Sequence, residues 1–196
     1  MRKATIERKT KETNIKLELQ LDNAGPIKVN TGIGFFDHML TLLGTHALLG
    51  LRIRARGDLQ VDRHHTVEDV GLALGKALKE ALGDKRGLAR YGWAAVPMDE
   101  ALALAALDFS GRPYLALELN LRAKKIGEFE VELIEEFLRA LVNSAGLNLH
   151  LRVLAGSNSH HIAEAAFKAL GRALAEAVKI DPRRAGAIPS SKGVLE

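Results

Sequence analysis

The chain contains no cysteine, and this absence excludes several classes of site at once. Without thiols there are no disulfides, no thiolate metal ligands and no cysteine nucleophile. The sequence also lacks an apolar stretch long enough to span a bilayer, and its N-terminus has no signal-peptide pattern. Together these absences predict a cytoplasmic protein that has no contact with a membrane.

Aromatic residues are also scarce, at 5% of the 196 residues. The net charge of +4 is compatible with a nucleic-acid partner. However, the basic residues are interspersed with acidic ones, and no aromatic pattern suited to base stacking accompanies them. We therefore expect no nucleic acid as a partner, and a nucleic-acid-binding module with salt-dependent affinity is the weaker alternative. A few basic residues gathered at one pocket suit a small phosphorylated molecule better.

One short phrase does occur twice in the chain. Residues 64–68 read HHTVE, and residues 160–164 read HHIAE. Each phrase opens a helical pattern, and each is followed by Ala-Leu-Gly, at 73–75 and at 169–171. A repeat that keeps two histidines and a carboxylate at its head indicates a duplicated metal site.

Helix geometry limits how these side chains can bind metal. Residues three or four positions apart share a helix face, so Glu68 lies over both His64 and His65. Adjacent residues point about 100° apart around the axis, so the two histidines cannot easily hold one ion. The pattern predicts either two metals, or one metal and an orienting hydrogen bond from the other ring. Imidazole and carboxylate ligands without thiolate suit manganese, iron or zinc.

Hydrophobic periodicity predicts an α+β fold, an α/β sandwich built from a duplicated unit. The predicted strands are 15–21, 49–55, 102–109, 114–121 and 147–154, and the predicted helices are 35–47, 64–82, 132–142 and 160–178. Each half therefore has the order strands, helix, strand, helix, and its sheet layer is covered by helices on one side. We expect residues 1–89 and 90–180 to be the two halves, fused as one compact domain, with 181–196 as a phosphate-binding tail.

Two further features extend the candidate site. His38 precedes the first phrase by about as many residues as Glu136 precedes the second, so the two positions correspond and both can ligate a metal. The tail carries Ser190, Ser191 and Lys192 beside glycines. Hydroxyls, an ammonium group and accessible backbone amides suit phosphate oxygens, although such tails are more often solvated and frayed.

Several motifs together closely resemble the imidazoleglycerol-phosphate dehydratase family. They are GFFDHML at 34–40, DRHHTVED at 62–69, SGRPY at 110–114, HHIAE at 160–164 and PSSKG at 189–193. The resemblance implies an enzyme of histidine biosynthesis that dehydrates D-erythro-imidazole glycerol phosphate to imidazole acetol phosphate through a metal-stabilised imidazolate. It also implies two Mn²⁺ ions per active site and a homo-oligomer of twenty-four subunits, with active sites between subunits. The alternative is a zinc-dependent hydrolase, whose single zinc ion would keep one coordination position open for water.

The resemblance also implies roles for individual residues. The implied metal ligands are His38, His64, His65, Glu68, Glu136, His160, His161 and Glu164. The implied phosphate-binding residues are Arg90, Arg112, Lys168, Ser190, Ser191 and Lys192. Further substrate contacts are Glu12, His46 and Asp99, beside the ligands His38, His64, His65 and Glu68, and the candidates for proton transfer are Glu164, Glu12, Asp99 and His46. Many members of the family have histidine where this chain has Glu136, and some have a polar residue in place of Leu42.

Several of these residues also have a simpler explanation. Without the resemblance, Arg90 and Arg112 are better explained as surface arginines. Lys168 lies one helical turn after Glu164, which is the spacing of an ordinary ion pair within a helix. His46 is at the end of a predicted helix, where a histidine interacts favourably with the helix dipole.

Overall fold

The strands form two separate four-stranded sheets, one in each half of the chain. The structure is a computed structural model, and it describes residues 1–195. The first sheet contains β1 (Lys3–Lys9), β2 (Thr13–Gln20), β3 (Ile27–Asn30) and β4 (Gly50–Gly57), and the second contains β5 (Tyr91–Met98), β6 (Ala101–Asp108), β7 (Tyr114–Glu118) and β10 (Asn148–Ala155). A small hairpin consists of β8 (Lys125–Ile126) and β9 (Phe129–Glu130). The long helices are α1 (Gly34–His46), α2 (His64–Leu82), α3 (Leu133–Ala145) and α4 (Ser159–Ala177).

The two sheets have the same topology, which is the structural counterpart of the repeated phrase. Their strand orders are β1-β2-β4-β3 and β5-β6-β10-β7. In both sheets the last strand of that order runs parallel to its neighbour, and the other pairs are antiparallel. The α+β fold and the duplicated unit expected from the sequence are therefore confirmed.

Alternation of side chains gives each sheet one buried face. In β2, Ile15, Leu17 and Leu19 are buried, whereas Lys16 lies on the opposite, exposed face. The helices are amphipathic in the same sense, since α2 buries residues such as Leu74 and leaves its lysines and Glu80 in solvent. Within residues 1–195, no helix combines the length and apolarity needed to cross a membrane.

The four helices pack across the boundary between the two halves. Helix α2 lies on β1 and β2, and α4 lies on β5 and β6, so each sheet carries helices on one face. Helix α1 then packs against α4, and α2 packs against α3. Because each of these pairs joins a helix from residues 1–89 to one from 90–180, the halves share one hydrophobic core.

Two equivalent glycines allow the helix pairs to approach closely. A Cβ atom at Gly75 would lie 2.5 Å from the Leu141 carbonyl oxygen, where α2 meets α3. A Cβ atom at Gly171 would lie 2.8 Å from the Leu43 carbonyl oxygen, where α4 meets α1. Real Cβ atoms do not tolerate such distances. The glycine of the repeated Ala-Leu-Gly motif is therefore explained by close helix packing in both halves.

Three strands of the sheets were not predicted from the sequence. In β1 only Ala4 and Ile6 are buried among charged neighbours, so its alternation is weak. Strand β3 has only four residues, and β5 contains both Gly92 and Pro97, which are unusual within strands. All nine predicted elements are present, and α2 begins and ends where it was predicted.

Candidate metal and substrate site

Both histidine phrases lie at the start of a helix, and in both the backbone of the first histidine contacts a polar side chain two residues earlier. The backbone N–H of His64 donates to Asp62 Oδ1 over 2.8 Å, and that of His160 donates to Asn158 Oδ1 over 2.9 Å. Each polar side chain satisfies a backbone donor that the first turn of a helix leaves free. The two helices therefore present their histidines at their first turns, as the sequence predicted.

The packing of α1 on α4 brings three predicted ligands together. Oε1 of Glu164 lies 2.8 Å from Nε2 of His38 and 3.1 Å from Nε2 of His160. The three side chains each offer a ligand atom, and these atoms all lie within 4.8 Å of one another. This group, the carboxylate–imidazole cluster, offers nitrogen and oxygen donors that suit a divalent ion such as manganese, iron or zinc.

Glu164 is the electrostatic centre of the cluster. Glu164 is only 8% exposed, and its Oε2 accepts a hydrogen bond from Lys168 Nζ over 2.6 Å. Burial acts to raise the pKa of Glu164, but hydrogen bonds from Lys168, His38 and His160 outweigh it and lower the pKa to about 2. The carboxylate is therefore ionised at neutral pH, as a metal ligand must be.

The adjacent histidines of each phrase point in different directions. The ring centroids of His160 and His161 are 6.3 Å apart, and their planes meet at 89°. His64 and His65 have the same separation and the same angle. Adjacent rings cannot share one ion in this geometry, which agrees with the helix argument made from the sequence.

The second histidine of each phrase contacts a carboxylate through Nδ1. His65 Nδ1 lies 3.0 Å from Asp58 Oδ2, and this hydrogen bond raises the pKa of His65. His161 Nδ1 lies 2.7 Å from Glu100 Oε2, which raises the pKa of His161 and lowers that of Glu100 to about 2. Neither acid was identified in the sequence analysis. Asp58 lies seven residues before His65 in an irregular loop, and Glu100 lies 61 residues before His161, so neither contact follows from helical spacing.

Two predicted proton-transfer residues lie beside the same histidines. Glu12 Oε1 is 3.9 Å from His65 Nε2, and Asp99 Oδ2 is 3.8 Å from His161 Nε2. Both carboxylates are more than half exposed, so they face the space in front of the histidine phrases. Glu12 lies in the β1–β2 turn and Asp99 in the β5–β6 turn, which are equivalent places in the two sheets.

The remaining predicted ligands stay outside the carboxylate–imidazole cluster. Among the side chains of residues 1–195, His38, His160 and Glu164 are the one group of three that gathers within ligand distance. The residues outside this group are His64, His65, Glu68, Glu136 and His161. Their role as ligands stays a prediction, and within one chain they do not complete a second cluster.

A hairpin that the sequence analysis did not identify lies between the two histidine phrases. Glu130 in β9 forms an ion pair of 3.5 Å with Arg63, the residue before α2. Just before the hairpin, the backbone N–H of Ala123 donates to Ser159 Oγ at the start of α4, over 3.1 Å. Phe129 anchors the hairpin in the core. Residues 123–130 thus contact the N-terminal ends of both α2 and α4.

A cavity of about 660 Å³ opens beside the carboxylate–imidazole cluster. Its walls include His38, His160, Arg63 and Phe129. Phe35 forms another wall and packs edge-on against the His160 imidazole, with 5.5 Å between ring centroids. A volume of this size, with an apolar wall and a few polar groups, is typical of a small-molecule site.

The predicted phosphate-binding residues fall into two distant places. Lys168 Nζ lies 2.6 Å from Glu164 and 3.3 Å from Met98 Sδ, at the end of β5. Arg90 lies just before the start of β5, and its Nε and Nη2 donate to the two carboxylate oxygens of Asp108 over 2.6 and 3.0 Å. Strand β5 has eight residues, which span about 26 Å. One chain therefore holds Lys168 and Arg90 at opposite ends of a strand.

The C-terminal tail folds against the start of β5. Arg90 Nη1 donates to the Pro189 carbonyl over 2.8 Å, and the Gly87 N–H donates to the Ala187 carbonyl over 2.9 Å. Within the tail, the Lys192 N–H donates to Ser190 Oγ over 3.2 Å. These hydrogen bonds hold the tail against the segment that leads into β5.

Two other predicted phosphate-binding residues, Arg112 and Ser191, lie in the turn after β6 and in the tail. Arg112 follows β6 in the turn before β7, and its backbone N–H donates to Ser110 Oγ over 3.2 Å. Ser191 is exposed in the tail. The last residue of the predicted tail, Glu196, lies outside the described residues.

His46 lies at the last residue of α1 and is partly buried. Burial lowers its pKa, the charges of Lys168 and Arg172 lower it further, and the charge of Glu164 opposes this shift only in part. The imidazole is therefore neutral near pH 7, with one donor and one acceptor nitrogen.

Comparison with known protein families gives a match over most of the chain. A family model described as "Imidazoleglycerol-phosphate dehydratase" matches residues 31–174. The chain belongs to the imidazoleglycerol-phosphate dehydratase family. The matched segment contains the carboxylate–imidazole cluster, both histidine phrases and the hairpin between them.

Individual members of the imidazoleglycerol-phosphate dehydratase family match this chain over nearly its full length. The imidazoleglycerol-phosphate dehydratase of Moorella thermoacetica is 61% identical over 194 residues, covering 99% of this chain and 98% of the relative. That of Dinoroseobacter shibae is 59% identical over 195 residues and covers 100% of both chains. These relatives are dehydratases, so they give no support to a zinc-dependent hydrolase.

Solved structures of the family have the same fold. The crystal structure of imidazoleglycerol-phosphate dehydratase from Staphylococcus aureus has a TM-score of 0.83 and 42% identity, covering 91% of this chain and 99% of that one. The Pyrococcus furiosus structure, in complex with (S)-C348, has a TM-score of 0.84 and 41% identity, covering 97% and 100%. Family membership therefore rests on both sequence and three-dimensional structure.

Proposed function

We propose that this chain removes water from D-erythro-imidazole glycerol phosphate to give imidazole acetol phosphate, as a cytoplasmic enzyme of histidine biosynthesis. The observation that carries this proposal is the match to dehydratases over essentially the whole chain, at up to 61% identity. The carboxylate–imidazole cluster supports it, because it gives the family's activity a place in this fold.

The cluster fits a divalent metal ion. His38 and His160 supply borderline nitrogen donors and Glu164 supplies an ionised oxygen donor, a set that suits Mn²⁺ well. We assign two Mn²⁺ ions to each complete active site, with His64, His65, Glu68, Glu136 and His161 as the further ligands. An ion held by these residues would supply Lewis acidity to the substrate's imidazole ring.

The structures of substrate and product define which carbon atoms lose and gain a proton in the reaction. The product has a methylene next to the ring and a ketone on the following carbon. The hydroxyl therefore leaves from the carbon attached to the ring, and a proton leaves from its neighbour, which gives an enol and water. A proton then returns to the ring-attached carbon to form the ketone. Side chains within reach of these two carbons must accept and return the protons.

The carboxylates of Glu12 and Asp99 suit this proton transfer. Each is exposed in front of a histidine phrase, at 3.9 and 3.8 Å from an imidazole Nε2 atom. Glu164 is held ionised by Lys168 and two imidazoles, so it serves as a ligand and acceptor rather than a proton donor. Neutral His46 supplies an additional donor or acceptor to the substrate.

The distance between the metal-binding and phosphate-binding residues supports an active site shared between subunits. Lys168 and the carboxylate–imidazole cluster lie at one end of β5, whereas Arg90 and the tail with Ser190, Ser191 and Lys192 lie at the other. A phosphorylated triol is far shorter than the roughly 26 Å between these ends. A neighbouring copy of the chain must therefore bring its Arg90, Arg112 and tail to the metal-binding end, in a closed homo-oligomer that we expect to contain twenty-four subunits.

The activity itself has a direct test. The purified chain is incubated with imidazole glycerol phosphate and Mn²⁺, and formation of the ketone is followed against a sample stripped of metal. We expect ketone formation that depends on Mn²⁺. A metal-loaded sample that forms no ketone would contradict the proposed activity.

The shared site is tested by mixing two inactive variants. Glu164→Gln disables the metal-binding end, and Lys192→Ala disables the phosphate-binding end. When the two are co-expressed with different tags and purified as mixed oligomers, random assembly gives about one quarter of the sites two intact ends. We expect activity near that fraction, far above either variant alone. Mixed oligomers as inactive as the separate variants would contradict a site shared between subunits.

A further inference from the structure

In each histidine phrase, a carboxylate contacts the Nδ1 atom of the second histidine. Asp58 lies 3.0 Å from His65 Nδ1, and Glu100 lies 2.7 Å from His161 Nδ1. In both pairs Nδ1 faces the carboxylate, so Nε2 is the nitrogen that faces the space in front of the phrase, beside Glu12 or Asp99. The two halves thus present the second histidine in the same orientation.

The two carboxylates come from different places in the duplicated unit. Asp58 directly follows β4 in the loop before α2, whereas Glu100 lies in the turn between β5 and β6. The position in the second half that matches Asp58 follows β10 and is Gly156. The two carboxylates that face Nδ1 therefore do not occupy equivalent positions of the duplicated unit.

We propose that Asp58 and Glu100 are positioning residues that fix His65 and His161 in the Nδ1–H tautomer and so keep the Nε2 lone pairs free for the metal ions. This inference rests on the proposed function, because it assigns the two histidines to the metal sites. A carboxylate acceptor behind a ligating imidazole fixes both its tautomer and its ring orientation, and it raises the basicity of the ligand.

The two carboxylates are held differently, and the difference makes the proposal testable. Oε1 of Glu100 accepts from the backbone N–H groups of Ser157 and Asn158, over 3.1 and 2.8 Å, while Oε2 faces His161. Two backbone donors fix which oxygen points away from the histidine. Both oxygens of Asp58 face His65, at 3.2 and 3.0 Å, and its carboxylate makes no other side-chain hydrogen bond within the described residues.

Amide variants should therefore act differently at the two positions. In Glu100→Gln the backbone donors keep the amide oxygen, so the amide NH₂ group faces His161 Nδ1 and imposes the wrong tautomer. In Asp58→Asn the side chain can rotate and still offer its oxygen to His65. We expect Glu100→Gln and Asp58→Ala to weaken Mn²⁺ binding about 10- to 100-fold, and Asp58→Asn to bind within about twofold of the unmodified chain.

The measurement is calorimetric titration of metal-free protein with MnCl₂, beside the unfolding temperature of the same metal-free samples. Asp84→Ala is the matched control, because Asp84 is an exposed acid just after α2 whose one side-chain partner among residues 1–195 is Arg86. We expect the control to bind Mn²⁺ normally and all variants to unfold near the unmodified temperature. Normal Mn²⁺ affinity in Glu100→Gln or in Asp58→Ala overturns the proposal, and Asp58→Ala decides alone if Glu100→Gln unfolds early.

Activity data separate this inference from the proposed function. If the unmodified chain forms no ketone but Glu100→Gln still weakens Mn²⁺ binding, the positioning role stands and the dehydratase activity fails. If the unmodified chain forms the ketone and Glu100→Gln binds Mn²⁺ normally, the activity stands and the positioning role fails.

Discussion

Nε2 of His38 lies 2.8 Å from Oε1 of Glu164, although the two residues come from opposite halves of the duplicated chain. The contact exists because α1 packs on α4 and not on the helix that follows it in its own half. Neither half assembles the carboxylate–imidazole cluster by itself. The metal-binding chemistry of this fold therefore depends on the interlocking of the halves, and a variant at the contact tests it directly.

The first prediction concerns Glu164→Gln. The amide keeps the shape of the side chain but removes the charge that contacts two imidazoles and Lys168. We expect turnover to fall by about 100-fold or more, whereas substrate binding is retained at saturating Mn²⁺. Turnover is measured by ketone formation and binding by calorimetry. Glu176→Gln is the control, since Glu176 lies on the same helix, is exposed and has Lys179 as its one ion-pair partner in the described part of the chain. Unchanged turnover in Glu164→Gln would remove this residue from the mechanism.

The sequence predicted the ends of α2 and α4 well because strong local signals set them. The repeated histidine phrases and the long amphipathic patterns that follow them are both visible in the sequence alone. The correspondence of His38 and Glu136 was also inferred from spacing within the repeat, and the role of Glu136 as a ligand stays a prediction. These inferences needed only local geometry and the internal duplication.

Other parts of the site depend on contacts that no local pattern encodes. Asp58 and Glu100 approach their histidines through turns, and neither turn has a distinctive composition. The hairpin at 125–130 has two strands of two residues each, which is too short for a periodic signal. Lys168 and Arg90 are separated by the length of β5, a strand that the sequence pattern did not predict.

A second prediction follows from the close helix pairs. Gly75→Ala puts a methyl group 2.5 Å from the Leu141 carbonyl, and Gly171→Ala puts one 2.8 Å from the Leu43 carbonyl. The backbone of a packed helix cannot move away freely, so each variant should lose about 1–3 kcal/mol of unfolding free energy in denaturant titrations. Gly34→Ala is the control, because nothing lies within 4 Å of its added Cβ. Full stability in Gly75→Ala would mean that α2 and α3 are not packed as described.

A third prediction concerns the pH dependence of stability at His46. Burial holds the folded-state pKa of His46 below the value of about 6.5 expected in the unfolded chain. Between these two values the unfolded chain binds more protons, so stability falls as the pH drops through about 6.5 towards the folded-state pKa. His46→Gln removes this dependence. We expect the difference in denaturant midpoint between about pH 7.5 and about pH 5 to be smaller in the variant than in the unmodified chain.

The comparison is made on metal-free protein at one fixed concentration, so that neither metal loss nor dissociation enters the difference. The other histidines are present in both proteins, and their contributions cancel. An equal or larger pH effect in His46→Gln would show that the imidazole is not held neutral in the folded chain.

The last prediction concerns metal removal and assembly. If neighbouring chains complete each other's sites, metal ligands lie close to every subunit contact, and an ion that binds only the assembled state stabilises it by mass action. We expect a chelator to shift the protein from its large assembly to smaller species, measured by light scattering after size-exclusion chromatography, and added Mn²⁺ to reverse the shift. High salt without chelator is the control, since it screens surface ion pairs but leaves tightly bound metal in place. An assembly of unchanged size after complete metal removal would show that protein contacts alone hold the subunits together.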